Sequence, residues 1–157
     1  MTIRLRKAKE SDSRFLFDLR NDESVRRVSG NPEPISFETH SAWFAKKLTL
    51  TTSRIFIIEE QESPIAQTRF DLEGNGSAVI SIAVIESHRG KGYGSRIIRE
   101  ATDTFFKEYS DVFTIRALIN PGNEASLKSF AKAGYERKGE SEEGGIMRHL
   151  LVFSRGS

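Results

Sequence analysis

The feature that most constrains this chain is a nearly unbroken apolar run leading straight into closely spaced glycines. Ala78-Val79-Ile80-Ser81-Ile82-Ala83-Val84-Ile85 is followed by Arg89-Gly90-Lys91-Gly92-Tyr93-Gly94, and then by helical sequence. An apolar run that does not alternate predicts a central strand buried on both faces. From Ser95 to about Tyr109, Ile98, Ala101, Phe105 and Tyr109 recur at helical spacing and predict a helix with one apolar stripe. The N-terminus of such a helix carries unpaired N–H groups and a positive dipole end. Glycines beside it allow positive φ and close backbone approach. Strand, glycines and helix together therefore make an anion site suited to a pyrophosphate.

The rest of the chain supplies the frame for this unit. Ile3 to Arg6 alternates apolar and basic and predicts a half-buried strand. Ser11-Asp12-Ser13 offers N-cap oxygens, with Phe15, Leu16 and Leu19 following at helical spacing. Asn31-Pro32-Glu33-Pro34 is a breaker. Ser36 can cap a second helix that carries Phe37, His40, Phe44 and Leu48 on one face. Ile55 to Ile58 and Ile65 to Phe70 read as strands, and Asp71 to Ser77, with Gly74-Asn75-Gly76, reads as a hairpin turn. Phe113 to Ile119 is a strand, Glu124 to Ala133 a short helix ended by Gly134, and Ile146 to Phe153 a final strand. The order predicts an α/β fold with a mixed sheet in which strand, glycines, helix and strand form a parallel crossover. Residues 1–154 are expected to form one domain, and residues 155–157 a flexible tail.

Composition narrows the function classes. The chain of 157 residues has no apolar run near the ~18 residues of a membrane span, and no apolar leader. It has no cysteine, which excludes disulfides, thiolate metal sites and an acyl-cysteine route. These features together favour the cytoplasm. A net charge of +2 is too mild to argue for nucleic acid. The distribution says more: Arg4, Arg6, Lys7, Lys9, Arg14, Arg20, Arg26 and Arg27 crowd the N-terminus, and Arg89, Lys91, Arg96 and Arg99 surround the glycines. Basic character of this kind suits a phosphorylated small molecule.

The glycines do not follow the dinucleotide spacing G-x-G-x-x-G, and no Walker A loop is present. They fit R-x-x-G-x-G if the pattern is read from Arg89 onward through Gly94. A second segment follows at the right distance: Ile115 to Asn120 as a strand, then Asn123-Glu124-Ala125-Ser126, then Lys132-Ala133-Gly134-Tyr135. On these two motifs the chain resembles the GCN5-related N-acetyltransferase (GNAT) family across most of its length. The resemblance implies a mixed sheet of about six to seven strands with about four helices, splayed to admit acetyl-CoA. It implies that N–H groups from Arg89, Gly90, Lys91, Gly92, Tyr93, Gly94 and Ser95 hold the pyrophosphate. The backbone near Ala83 and Val84 would meet the pantetheine arm and polarise the thioester carbonyl. Asn123, Ser126 and Phe130 would line the CoA side. Acetyl-CoA is the expected co-substrate, with no metal.

The resemblance also exposes departures. The family's usual acid, a tyrosine seven residues after the motif asparagine, falls on Phe130 here. Tyr135, Glu86 and His40 are the remaining catalytic candidates. In the N-terminal third, Arg20-Asn21 through Val25-Arg26 and Ile35-Ser36 through His40 and Trp43 resemble the nucleotide-amino-sugar N-acetyltransferases of pseudaminic acid biosynthesis. That implies an acceptor site of Arg20, Asn21, Arg26, His40, Trp43 and Arg69, and a small amine acceptor linked to a nucleotide. Arginines suit such an acceptor because a guanidinium binds phosphate bidentately. Other acceptors in the family, such as a protein N-terminus or another small amine, stay open, as does a non-catalytic CoA-binding module. Neither a nucleic acid nor a membrane partner is expected; a homodimer is compatible with such a chain.

Overall fold

The computed structural model of the chain describes residues 2–28 and 33–155. Its strands are β1 (Arg4–Lys7), β2 (Ser53–Glu60), β3 (Ser63–Gly74), β4 (Ser77–Val84), β5 (Thr114–Ile119), β6 (Glu136–Glu143) and β7 (Ile146–Ser154). They form one sheet in the order β1-β2-β3-β4-β5-β7-β6. Every neighbouring pair is antiparallel except β4 and β5, which run parallel and are joined through helix α4 (Tyr93–Glu108). The remaining helices are α1 (Ser13–Asn21), α2 (Glu23–Val28), α3 (Phe37–Thr49) and α5 (Glu124–Lys132).

Strand alternation sorts the side chains onto two faces, with a third cluster of Ile58, Ile65, Ala66 and Ile97 near the start of α4. Phe56, Phe70, Ala78, Ile80, Ile115 and Ala117 pack beneath α4, whose Ile98, Ala101 and Phe105 are almost wholly buried. On the opposite face Ile55 and Ile57 meet Leu16 of α1 and Phe44 of α3. The β3–β4 hairpin turns at Gly74, Asn75 and Gly76, all with positive φ, as the Gly-Asn-Gly sequence predicts. Ser36 caps α3 as expected, its side chain accepting from Thr39 N.

Four expectations need correction. There are five α-helices among the described residues because α2, only six residues of Glu-Ser-Val-Arg-Arg-Val, has no apolar stripe to announce it. Helix α4 begins at Tyr93 rather than Ser95, since Gly92 takes the left-handed conformation at φ 85° and caps the helix. Asp12 does not cap α1: its carboxylate is drawn to Arg6, at 2.7 and 2.8 Å, and to Lys9 N at 2.8 Å. A charged partner outcompetes a helix-end N–H. Arg155 is no tail residue. Its guanidinium donates to the carbonyls of Phe106, Tyr109 and Val112, capping the end of α4, and its ring of contacts includes the Phe106 face at 4.3 Å. Residues 156 and 157 of the expected tail, and Asn31 and Pro32 of the breaker, lie outside the described residues. Among the described residues, no helix is long and apolar enough to cross a membrane.

Candidate active site

The sheet opens in its centre. β4 and β5 pair only from Ser77↔Thr114 to Ile80↔Ala117, although β4 runs on to Val84 and β5 to Ile119. Past Ala117, β5 pairs with β7 alone, and past Ile80, β4 pairs with β3 alone. Only Ala78 and Ile80 of β4 are fully buried, so this strand is not covered on both faces as its composition suggests. The divergence leaves a cavity of about 650 Å³ that touches both layers of the fold. Main-chain direction in the gap follows from one bond: Ile85 N donates to Ile65 O on the β3 side. The Val84 carbonyl must then point to the open side, and strand alternation turns the N–H groups of Ile82 and Val84 the same way. Ala83, expected to share this role, turns its main chain toward β3 although it lines the cavity with Ile82; Val84 stands just outside the wall.

The glycine loop lies at the end of β4. A single 3-10 turn, Glu86–His88, leads to Gly90 at φ 71° and Gly92 at φ 85°, which aim the chain into α4. Gly94 allows α5 to approach: a Cβ there would lie 2.8 Å from Ser129 Oγ. The loop is braced from β2 by a residue not singled out in the sequence. Glu60 accepts from the Tyr93 hydroxyl with one carboxylate oxygen and sits 3.0 Å from His88 Nε2 with the other. These bonds hold the Glu60 carboxyl below its ordinary range and raise the Tyr93 phenol. Glu86 is exposed and stands outside the cavity wall, so it is not placed to act as a base there. Lys91 is exposed as well.

On the α5 side, Asn120, Asn123, Ser126 and Phe130 line the cavity. The Asn123 side chain caps α5 by accepting from Ser126 N. Tyr135 is elsewhere. It is 3% exposed within the α4 core, packs edge-on against Phe130, and shares a 2.8 Å hydrogen bond with the buried Thr102 hydroxyl. Burial lifts its phenol well above the usual range. Expected as a catalytic candidate, it is a packing residue outside the cavity wall.

The α1–α3 side of the cavity is walled by Arg20, Val25, Ile35, His40, Trp43, Gln67, Arg69 and Ser81. Register explains part of this set, because Arg69 lies beside Ser81 across one strand pair and Gln67 beside Ala83. His40 is 4% exposed, in ring contact with Phe17, Trp43 and Phe44, and its buried Nδ1 has no hydrogen-bond partner. Burial first, and the nearby Arg20 charge second, lower its pKa, so it is neutral at neutral pH. Arg20 gives one nitrogen to the Glu33 carbonyl at 3.3 Å and keeps a buried Nη1 unpartnered. Arg69 bonds Asp71 at 2.8 Å and lies over the Trp43 ring at 5.2 Å. Two expected acceptor residues have other work. Asn21 clamps the Ile35 backbone through both amide atoms, at 2.8 and 2.9 Å. Arg26 donates to the Asn21 carbonyl, and neither residue is in the cavity wall. Among the described residues, no group of three or more His, Asp or Glu could hold a metal ion.

A mixed sheet split at its one parallel pair, with a glycine-lined helix N-terminus beside the split, is the architecture of an acyl-transferring fold. The family profile described as "Acetyltransferase (GNAT) domain" matches residues 2–136. Two Bacillus subtilis (strain 168) relatives are similar. One is YwnH, whose name assigns it provisionally as a phosphinothricin acetyltransferase, at 29% identity over 88% of this chain and 86% of its own. The other is YokL, an SPbeta prophage-derived N-acetyltransferase, at 23% over 90% and 77%. Among solved structures, aminoglycoside acetyltransferase AAC(6')-Ib with ribostamycin and coenzyme A superposes with a TM-score of 0.88, at 20% identity over 99% of this chain and 94% of that one. Spermidine N-acetyltransferase from Vibrio cholerae, with CoA and spermine, gives 0.84, at 20% over 97% and 95%. The chain belongs to the GNAT acetyltransferase family. It is an acetyl-CoA-dependent N-acetyltransferase.

Proposed function

We propose that this enzyme acetylates the primary amine of a small acceptor that carries negative charge, and that the acceptor is the 4-amino group of a nucleotide-linked amino sugar. The observation that carries the charge assignment is Arg20, a guanidinium in the cavity wall whose buried Nη1 lacks a hydrogen-bond partner. A buried cationic donor left unmatched is destabilising unless a ligand anion completes it. Arg69, paired with Asp71, adds a second guanidinium, and no Asp or Glu is among the described wall residues. A polycation such as spermidine or an aminoglycoside would meet like charge there. The nucleotide linkage rests on the Arg20–Trp43 sequence pattern.

The donor side fits the group the family requires. β4 beyond Ile80 has an open main-chain edge, which suits an extended arm bearing amides, by the logic of strand addition. The N–H groups of residues 90–95 at the start of α4 suit a pyrophosphate; the Arg89 N–H, expected to join them, is taken by the Glu86 carbonyl at 3.1 Å. Asn123, Ser126 and Phe130 would flank the arm's thiol end. Bound acetyl-CoA supplies an acetyl group activated as a thioester. The chain contributes position and charge: the Ile82 and Val84 N–H groups are donors aimed into the gap where negative charge develops on oxygen. His40, neutral and missing a partner at Nδ1, offers a hydrogen bond to the acceptor near its amine. Ordered water takes the ammonium proton in this reading. The proposed enzyme works in the cytoplasm, as a monomer or a homodimer.

Thiol release from acetyl-CoA tests this across four acceptors: a nucleotide-linked 4-amino sugar, phosphinothricin, spermidine and kanamycin. The first is expected to give the highest kcat/KM, with the two cationic amines lowest. Arg20→Ala should raise the acceptor KM and leave that for acetyl-CoA unchanged. Fastest turnover of spermidine or kanamycin would overturn the charge assignment. Fastest turnover of phosphinothricin would keep the charge and remove the nucleotide.

A further inference from the structure

Arg89 opens the glycine motif, yet its guanidinium runs away from the loop toward the corner between α1 and α2. Nε donates to the Val84 carbonyl at 2.9 Å. Nη1 donates to the hydroxyl of Ser24, 65 residues distant in sequence. Nη2 is buried, lies 3.8 Å from Asp22 Oδ1 and makes no hydrogen bond. Local bonds join the corner into one unit. Asp22 Oδ1 accepts from Ser24 N at 2.9 Å and from the Ser24 hydroxyl, and Asp22 O accepts from Val25 N and Arg26 N. Arg26 and Asn21 then tie it to Ile35. Arg20, Val25 and Ile35 from this corner wall the acceptor half of the cavity.

One side chain thus joins three parts: the loop assigned to the donor, the open edge of β4, and the acceptor wall. We propose that Arg89 is a positioning residue, a strut through which donor binding at residues 90–95 orders the α1–α2 corner and completes the acceptor site. The proposal rests on the donor-site reading above. Its physics is the planar guanidinium fork, which transmits position because its nitrogens cannot move independently. A ligand that gathers the loop N–H groups fixes the Arg89 backbone, and the fork then fixes the distance from Val84 O to Ser24. The unmade bond gives the strut its direction: approach of Asp22 by roughly 1 Å turns the 3.8 Å ion pair into a charge-assisted hydrogen bond. By linkage, whatever donor binding does to the corner, a filled acceptor site does in return to the donor.

Hydrogen–deuterium exchange on the full chain, with CoA as the probe, tests the strut. CoA should slow exchange at the amides of Ser24, Val25 and Arg26 by roughly fivefold, the lower end of ordinary coupling. Ser24→Ala should abolish that slowing while calorimetry still records CoA binding, and Ser24→Thr, which keeps the hydroxyl, should retain it. Equal slowing in Ser24→Ala, or none in the wild-type chain with CoA bound, overturns the strut. Failure of the wild-type chain to bind CoA would instead bring down the donor-site reading, and the strut with it.

Discussion

Gly90→Ala isolates what the loop backbone contributes to donor binding. Gly90 has φ 71°, and a Cβ built on it would meet no heavy atom within 4 Å. The substitution therefore adds no clash, and its whole effect is the left-handed backbone of an L-residue, worth about 1–2 kcal/mol. Gly90 is exposed and packs no core, so the loop of the free variant is able to relax to negative φ. Gathering the loop N–H groups on an anion then demands the left-handed form again, and the energy appears in binding. CoA affinity should fall by about five- to thirtyfold, at 1.4 kcal/mol per decade. Gly90→Asn, whose side chain tolerates that region, should fall less. Titration calorimetry with CoA, paired with thermal melts, provides the measurement. A Gly90→Ala chain that binds CoA within about twofold of wild type would refute the reasoning, since that is under a third of a decade. So would a large loss of Tm with unchanged affinity, which would make the loop a scaffold element.

Two further outcomes follow from the site. Tyr135→Phe should leave kcat unchanged and remove about 1–2 kcal/mol of stability in urea, because the buried Thr102 hydroxyl loses its partner; a hundredfold fall in kcat would instead make Tyr135 the acid. His40 titrates below its ordinary value in the folded chain, so between about pH 6.5 and that lower value the unfolded chain binds more protons. Its contribution to stability is complete above about pH 6.5 and declines as the pH falls through that window. The urea midpoint of His40→Gln should vary less between about pH 7 and pH 5 than that of wild type, and parallel curves would show that another group is responsible.

The parts legible in the sequence are those fixed by neighbours in the chain. Glycines that must adopt positive φ, a Ser cap before α3 and the apolar stripe of α4 are local demands, readable at their own positions. Helix α2 escaped because six residues with two arginines carry no period to read. Within the site, Trp43, His40, Arg20 and Arg69 line one cavity. Asn21 and Arg26 share that pattern but serve the backbone beneath it. No local signal separates a residue that faces a ligand from one that braces its neighbour.

The sequence by itself determined the local backbone of the loop: a central strand, two glycines that take the left-handed conformation and a helix start are written at their own positions, and with the Asn123–Tyr135 segment they carry the family resemblance. Only the tertiary structure decided what the side chains around that loop do. Glu60 reaches His88 and Tyr93 across 28 and 33 residues, and Arg89 reaches Ser24 across 65. Tyr135 turned to Thr102 because α5 packs against α4 and the residue that follows it is set against that helix, where a phenol finds a buried hydroxyl. The physical reason is reach: backbone conformation is dictated within a few residues, whereas the partner of a long side chain is dictated by which elements the sheet brings alongside it.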